Sequence, residues 1–201
     1  MTITAADMAS APAIDEVADQ GFSDNDFPAG LSADVETETT ITTGVEAAFL
    51  TALMWAPVGM AHQVCDILTS TDRWNPFWSP THRVIFEAIA AVLGDGSVPI
   101  PELVQARLFE TGQFTRVQQV WLSVVAPSRA PLGGGVELTP LAAKVIDQWY
   151  RRGYAGLLAR MAQIRETVSV EELAGHWENL TGHQQRAEEL WLTKRDQLAR
   201  L

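Results

Sequence analysis

From residue 45 onward, apolar side chains recur at spacings of three and four, the repeat that places them on one face of an α-helix. Val45, Phe49 and Leu53 follow this repeat, and Val64 and Leu68 follow it in the next segment. No segment shows the strict alternation of apolar and polar residues that is typical of a half-buried β-strand. The sequence therefore predicts an all-α fold.

Residues that begin and end helices divide this pattern into about seven helices. Ser79-Pro80 and Thr139-Pro140 are typical of helix starts, because proline is tolerated in the first turn. Gly94 and Gly112 are typical of the residue that follows a helix. Thr115 and Gln118 have the spacing of a capping box ahead of a further helix. The prolines and glycines of residues 127–138 predict a flexible loop.

The last two helices are long and are separated by a short junction. Thr167-Val168 separates them, and Ser169 with Glu172 has capping-box spacing for the second. A connection this short predicts an antiparallel helical hairpin. We therefore expect a compact helical core at residues 45–138 and a hairpin at residues 139–201.

Residues 1–44 differ from the rest of the chain in charge. They hold nine of the 25 acidic residues and none of the 14 basic ones, so the other 157 residues are close to neutral. A stretch rich in acidic, Thr, Ser and Ala residues buries too little apolar area to offset chain entropy. We predict a disordered acidic tail. Three roles are weighed for it: a solubilising arm, an arm that repels nucleic acid, and an inert leader.

Composition excludes several classes of protein. No run of about 18 apolar residues is present, so we expect no membrane span. The first 21 residues lack the basic and apolar blocks of a signal peptide. Cys65 is the only cysteine, which excludes an internal disulfide and fits a cytoplasmic protein. A net charge of −11 argues for weak or absent direct nucleic-acid binding.

Motifs for catalysis are missing. The run of glycines at 133–135 has no following P-loop lysine. His176 and His183 are seven residues apart, whereas zinc ligands on one helix are closer to four apart. Cys65 has no neighbouring base and is expected to be buried and inert. We therefore predict no enzymatic activity, no cofactor and no metal site.

Aromatic and apolar residues of the hairpin are the candidates for a protein interface, because tryptophan and arginine anchor many interfaces. Core packing explains part of the same pattern, since Trp149 and Trp177 also have core-like spacing. The candidate interface residues are Trp149, Arg152, Leu157, Trp177 and Trp191.

One segment, residues 77–86, resembles the Phe-Tyr-x-x-x-His-Arg-x-Ile-Phe signature of the N-terminal domain of DnaB-type replicative helicases. The matching residues are Phe77, Trp78, His82, Arg83, Ile85 and Phe86. From the residues themselves we expect His82 and Arg83, in the first turn of a helix, to hydrogen-bond nearby loop carbonyls. The signature therefore marks a scaffold rather than a reaction.

Neighbouring segments extend the resemblance over about residues 45–166. Residues 46–50 are similar to that domain's opening helix, and residues 98–103 to its turn into the fourth helix. Residues 129–138 look inserted, and Thr51 stands near a position where the family has glycine. No Walker motif follows, so the family's ATPase activity does not carry over.

The resemblance implies a module for assembly in DNA replication. It implies contacts with the replicative helicase, primase or loader, and a homo-oligomer formed through the hairpin. One alternative is a split or truncated helicase subunit that works with a separate ATPase. Another is a DNA-binding plasmid or phage replication accessory protein, for which Arg151, Arg152, Arg160 and Arg165 supply a basic stripe.

Overall fold

A computed structural model describes residues 34–71, 74–127 and 129–201, with side chains described from residue 39. These residues form seven α-helices and no strand, which confirms the predicted all-α class. A single turn of 3₁₀ helix at Gly133–Gly135 precedes the last two helices. The helices are α1 (Asp34–Trp55), α2 (Val58–Thr69), α3 (Pro80–Gly94), α4 (Pro101–Glu110), α5 (Phe114–Val125), α6 (Leu138–Thr167) and α7 (Val170–Ala199).

The core is centred on three phenylalanine rings from two helices and the loop between α2 and α3. Phe49 of α1 lies 6.1 Å from Phe77 and 6.2 Å from Phe86, measured between ring centroids. Phe77 and Phe86 are 5.0 Å apart. All three rings are buried, so removing any of them would cost about 3–5 kcal/mol. The cluster fixes α1, α3 and the preceding loop against one another.

The hairpin formed by α6 and α7 is present as predicted, and α6 ends at Thr167 while α7 begins at Val170. Its base belongs to the same hydrophobic cluster as the other helices, because Ile146 and Leu198 are buried within it. Ser169 is the N-cap of α7, but its hydroxyl bonds the Glu172 carboxylate at 2.8 Å rather than a backbone amide.

Two local predictions about helix ends are corrected. Gly94 is the last helical residue of α3, and the left-handed position belongs to Gly96 at φ 76°. The amide of Ser97 then bonds the carbonyl of Val92 at 3.1 Å, which is the Schellman arrangement. Thr115 lies inside α5, because that helix already begins at Phe114, whose ring stacks on Phe109 at 4.2 Å. Gly112 occupies the left-handed position after α4 as predicted, with φ 68°.

The predicted tail is too long at its C-terminal end. Helix α1 begins at Asp34, so residues 34–44 are helical, and Thr42 is only 3% exposed. The hydroxyl of Thr43 donates to the carbonyl of Thr39 at 2.9 Å. Residues 36–40, which are all Glu or Thr, have no apolar repeat of their own and are helical because they continue α1. Residues 1–33 of the predicted tail lie outside the described residues.

Gly135 brings the segment predicted as a flexible loop into close contact with the junction of α1 and α2. Its φ is 74°, and a Cβ atom at this position would lie 2.9 Å from Cδ of Pro57 and 3.2 Å from Cβ of Ala56. Both the backbone conformation and the available space therefore require glycine. The contact sets the start of α6 beside the end of α1.

We expect Gly135→Ala to lower the free energy of unfolding by roughly 1–3 kcal/mol, because it combines a strained backbone with an overpacked contact. Urea denaturation measures the change. Gly133→Ala is the matched control, since nothing lies within 4 Å of a Cβ atom there. Equal effects of the two substitutions would contradict the close packing of Gly135.

Candidate protein-interaction surface

A buried carboxylate connects α1 to the beginning of α3. Glu46 is fully buried, and its Oε1 accepts the amide of Trp78 at 2.5 Å while its Oε2 accepts the amide of Ser79 at 3.2 Å. Nδ1 of His82, which is 4% exposed, lies 2.8 Å from the same Oε2. A negative charge at this place also interacts favourably with the N-terminal end of α3. Glu46 therefore fixes both the loop and the helix start.

The segment that resembles the helicase signature is divided between core and surface. Phe77, Ile85 and Phe86 are buried, as expected of a scaffold. His82 bonds Glu46, whereas Arg83 is exposed and pairs with Glu87 at 2.8 Å. The expectation that His82 and Arg83 bond loop carbonyls is therefore wrong. The partner of His82 lies on α1, and the partner of Arg83 lies one turn further along α3.

Side chains from the base of the hairpin hold the loop between α2 and α3. Nη2 of Arg152 donates to the carbonyl of Pro76 at 2.9 Å, and the guanidinium lies 5.4 Å from the ring centroid of Trp78. Trp149 meets Trp74 edge to face, with centroids 5.5 Å apart. The loop that carries the start of the signature is therefore fixed by α6 as well as by Glu46.

Lys194 of α7 is buried against the end of α2. Its Nζ donates to the carbonyl of Ile67 and the hydroxyl of Ser70, both at 2.6 Å, and lies 5.1 Å from the ring centroid of Trp74. Burial lowers the pKa of Lys194, while the two acceptors and the C-terminal end of α2 stabilise its charge. The burial of Lys194 could not be predicted, because a lysine in a polar helix is expected to be solvent-exposed.

Four of the five predicted interface residues make contacts within the chain. Trp149 and Arg152 contact the loop between α2 and α3. Leu157 is only 9% exposed, and the ring of Trp191 stacks on that of Tyr150 with the centroids 4.9 Å apart. Nε1 of Trp191 also donates to Asp147 at 3.0 Å. These residues stabilise the hairpin and its attachment to the other helices. Trp177 differs from them, because 56% of it is exposed.

The distal hairpin, defined here as residues 153–182, presents apolar groups to solvent. Its exposed large side chains are Tyr154, Leu158, Val170 and Trp177, with exposed fractions between 48% and 79%. The exposed charged groups of the two helices differ in net sign. On α6 they are Arg160, Arg165 and Glu166, and on α7 Glu171, Glu172 and Glu178. The distal hairpin therefore combines apolar groups with complementary charges.

Within the described part of the chain, the other titratable groups do not assemble into a recognisable catalytic or metal centre. No cluster of three or more His, Cys, Asp or Glu residues suited to a metal ion is found there. Burial, followed by the charge of Arg186, lowers the pKa of His183. Among the same residues, no helix has the length and apolar character needed to cross a bilayer.

A groove of about 350 Å³ lies between α3, α4 and α5. Val84, Ala88 and Leu108 line it together with Arg107 and Arg116. Arg107 is engaged by ion pairs with Asp95 and Glu110. The lining holds no nucleophile paired with a base, and the distal hairpin remains the more distinctive surface.

Comparison with known proteins adds no relative to this description. No protein-family model, no curated protein and no solved structure matches the chain.

The Glu46 contacts predict a specific loss of stability. Glu46→Gln replaces an acceptor-only group with an amide whose NH₂ faces donors, so we expect the free energy of unfolding to fall by about 1–3 kcal/mol. Glu87→Gln is the matched control, because its ion pair with Arg83 is exposed and worth at most about 0.5 kcal/mol. Urea denaturation compares them, and equal losses would contradict the role assigned to Glu46.

Cys65 predicts a dependence of stability on pH. Burial, and secondarily the charge of Asp66, raises the pKa of its thiol from 9.0 to about 12. Between these values the unfolded chain has lost the thiol proton and the folded chain retains it. The contribution of the protonated thiol to the free energy of unfolding is therefore complete below about pH 9 and is lost as pH rises towards 12.

The difference between the wild type and Cys65→Ala isolates this contribution from that of other titrating groups. Urea denaturation at about pH 8 and about pH 10.5 should show a steeper fall for the wild type. Parallel changes in the two proteins would mean that the thiol ionises equally in both states.

Proposed function

We propose that this chain is a helical interaction and oligomerisation module of DNA replication, similar to the N-terminal domain of DnaB-type helicases and without an ATPase motor of its own. The observation that carries the proposal is the buried pair of Glu46 and His82. It joins the two segments that resemble that domain, the opening helix and the signature at residues 77–86. Such a contact fits a scaffold whose purpose is to present a surface.

The distal hairpin supports a role in protein contact. Contiguous exposed apolar groups on a folded protein mark interaction sites, and tryptophan is enriched at their centres. Trp177 and Leu158 are exposed apolar groups, one on each helix of the distal hairpin, and each is 56% exposed. Basic groups on α6 and acidic groups on α7 would pair when a second hairpin packs antiparallel to the first. We propose a homo-oligomer formed in this way, with a replicative helicase, primase or loader as further partner.

A separate chain that supplies the ATPase would make this protein a split helicase subunit with the same surface. The proposed role places the protein in the cytoplasm, in agreement with its single buried cysteine.

The exposed Arg151 and Arg160 favour a second candidate, a DNA-binding accessory protein. That candidate requires DNA binding that persists at about 0.15 M salt, because phosphate contacts weaken steeply with ionic strength.

Size-exclusion chromatography with light scattering tests the proposal. We expect a dimer or larger assembly whose dissociation constant rises about tenfold or more on Trp177→Ser, the loss expected of a central tryptophan. Trp55→Ser is the matched control, since Trp55 is 61% exposed but lies outside the hairpin. Binding to purified helicase and primase is measured with the same variants. A chain that stays monomeric at high concentration and binds neither protein would refute the proposal.

A further inference from the structure

The outer face of α6 is exposed along much of the helix. We define the outer face as six exposed residues: Lys144, Arg151, Ala155, Leu158, Ala162 and Arg165. Successive members are three, four or seven positions apart, so they share one side of the helix. Leu158 is 56% exposed, and the two alanines extend the apolar surface beside it.

This face carries an excess of positive charge. Arg151 forms no ion pair with any described residue, while Lys144 and Arg165 have one acidic neighbour each, at 3.6 Å and 3.1 Å. Asp147, the neighbour of Lys144, is also bonded to Trp191 of α7. An apolar strip flanked by arginines fits a ligand that is both acidic and apolar.

The chain itself places an acidic segment near this face. Helices α1 and α6 run antiparallel, because Gly135, just before α6, lies against Ala56 at the end of α1. Further along α6, Arg152 bonds the loop that Glu46 also holds. Asp34, where α1 begins, is twelve residues before Glu46, or about 18 Å at 1.5 Å per residue. The start of α1 is therefore about level with residues 160–165.

Residues 1–33 have the composition that the outer face of α6 requires. They contain six acidic residues and no basic one. Phe22 and Phe27 flank Asp24 and Asp26, which gives an acidic segment with two apolar anchors. The residues between Phe27 and Asp34 span up to about 20 Å when extended, so this segment can reach around α6.

We propose that residues 1–33 bind the outer face of α6 within the same chain, with Asp24 and Asp26 beside the arginines and Phe22 and Phe27 on Leu158. A short tether gives such a segment an effective concentration in the millimolar range, which favours it over ligands in solution. The bound segment covers the cationic face and excludes nucleic acid from it. Leu158 and Arg165 also belong to the surface proposed above for a second hairpin, so the bound segment and that hairpin would compete for the α6 side of the distal hairpin.

Paramagnetic relaxation enhancement tests the contact. A nitroxide on Ser23→Cys, in a Cys65→Ala background of the full chain, should broaden the amide resonances of residues 151–165. The broadening should decline at about 0.5 M salt, because ionic contacts are then screened. A mixture of nitroxide-labelled chains and isotopically labelled chains without nitroxide distinguishes broadening within one chain from broadening between chains. Broadening only within the labelled chain supports the proposal, and broadening between chains would overturn it in favour of a second copy as occupant.

Charge-matched variants locate the contact. Arg151→Gln with Arg165→Gln should abolish the broadening, whereas Arg83→Gln with Arg116→Gln, which removes the same charge elsewhere, should leave it intact. Loss of broadening in both pairs, or uniform weak broadening along the chain, would overturn the proposal, because only general electrostatics would then act.

Removal of residues 1–33 provides a functional readout. Fluorescence anisotropy with a labelled single-stranded oligonucleotide should show affinity about tenfold higher for the truncated chain, because the arginines are uncovered. Arg151→Gln with Arg165→Gln should eliminate that gain. A gain that is unchanged in this double variant would overturn the assignment of the site to the outer face of α6.

Discussion

The buried carboxylate of Glu46 is the interaction on which the arrangement of the other elements depends. It accepts two backbone amides at the start of α3 and contacts His82, so one side chain joins two helices and a loop. A buried acidic group without such partners would be strongly destabilising, which makes the pairing obligatory. Arg152 then ties the same loop to α6. The hairpin is thereby oriented by a chain of polar contacts as well as by the apolar core.

The elements that could be predicted from the sequence are those whose cause is local. Ser79 begins α3 because its hydroxyl accepts the amide of His82, and both residues lie within one turn. The hairpin was predictable because its junction is short and because its helices have their own start signals at Thr139-Pro140 and Ser169. The start of α1 was not, because residues 34–44 are helical only as an extension of a packed segment. A local pattern contains no information about that packing.

The polar contacts that fix the site were not predictable for the same reason. Glu46 and His82 are 36 residues apart, and Lys194 is 127 residues from the carbonyl that it bonds. Each residue alone has the appearance of a solvent-exposed group on an amphipathic helix. Only the tertiary arrangement makes them buried partners. The same limit applies to Trp191, whose contacts lie within the chain, whereas the core-like spacing of Trp149 already indicated such packing.

The two ends of the hairpin differ in what holds them. The base is fixed by buried side chains, whereas the distal hairpin contains Gly153 and Gly175 at positions where a Cβ atom would meet nothing within 4 Å. Packing does not require these glycines, and each lowers helix stability by about 1 kcal/mol relative to alanine. The distal hairpin is therefore the part of this pair expected to open first. A segment bound along the outer face of α6 would stabilise it and leave Trp177 on α7 available for a protein partner. Covering of α6 is therefore compatible with a helicase, primase or loader that binds Trp177, but it competes with a second hairpin that packs on α6.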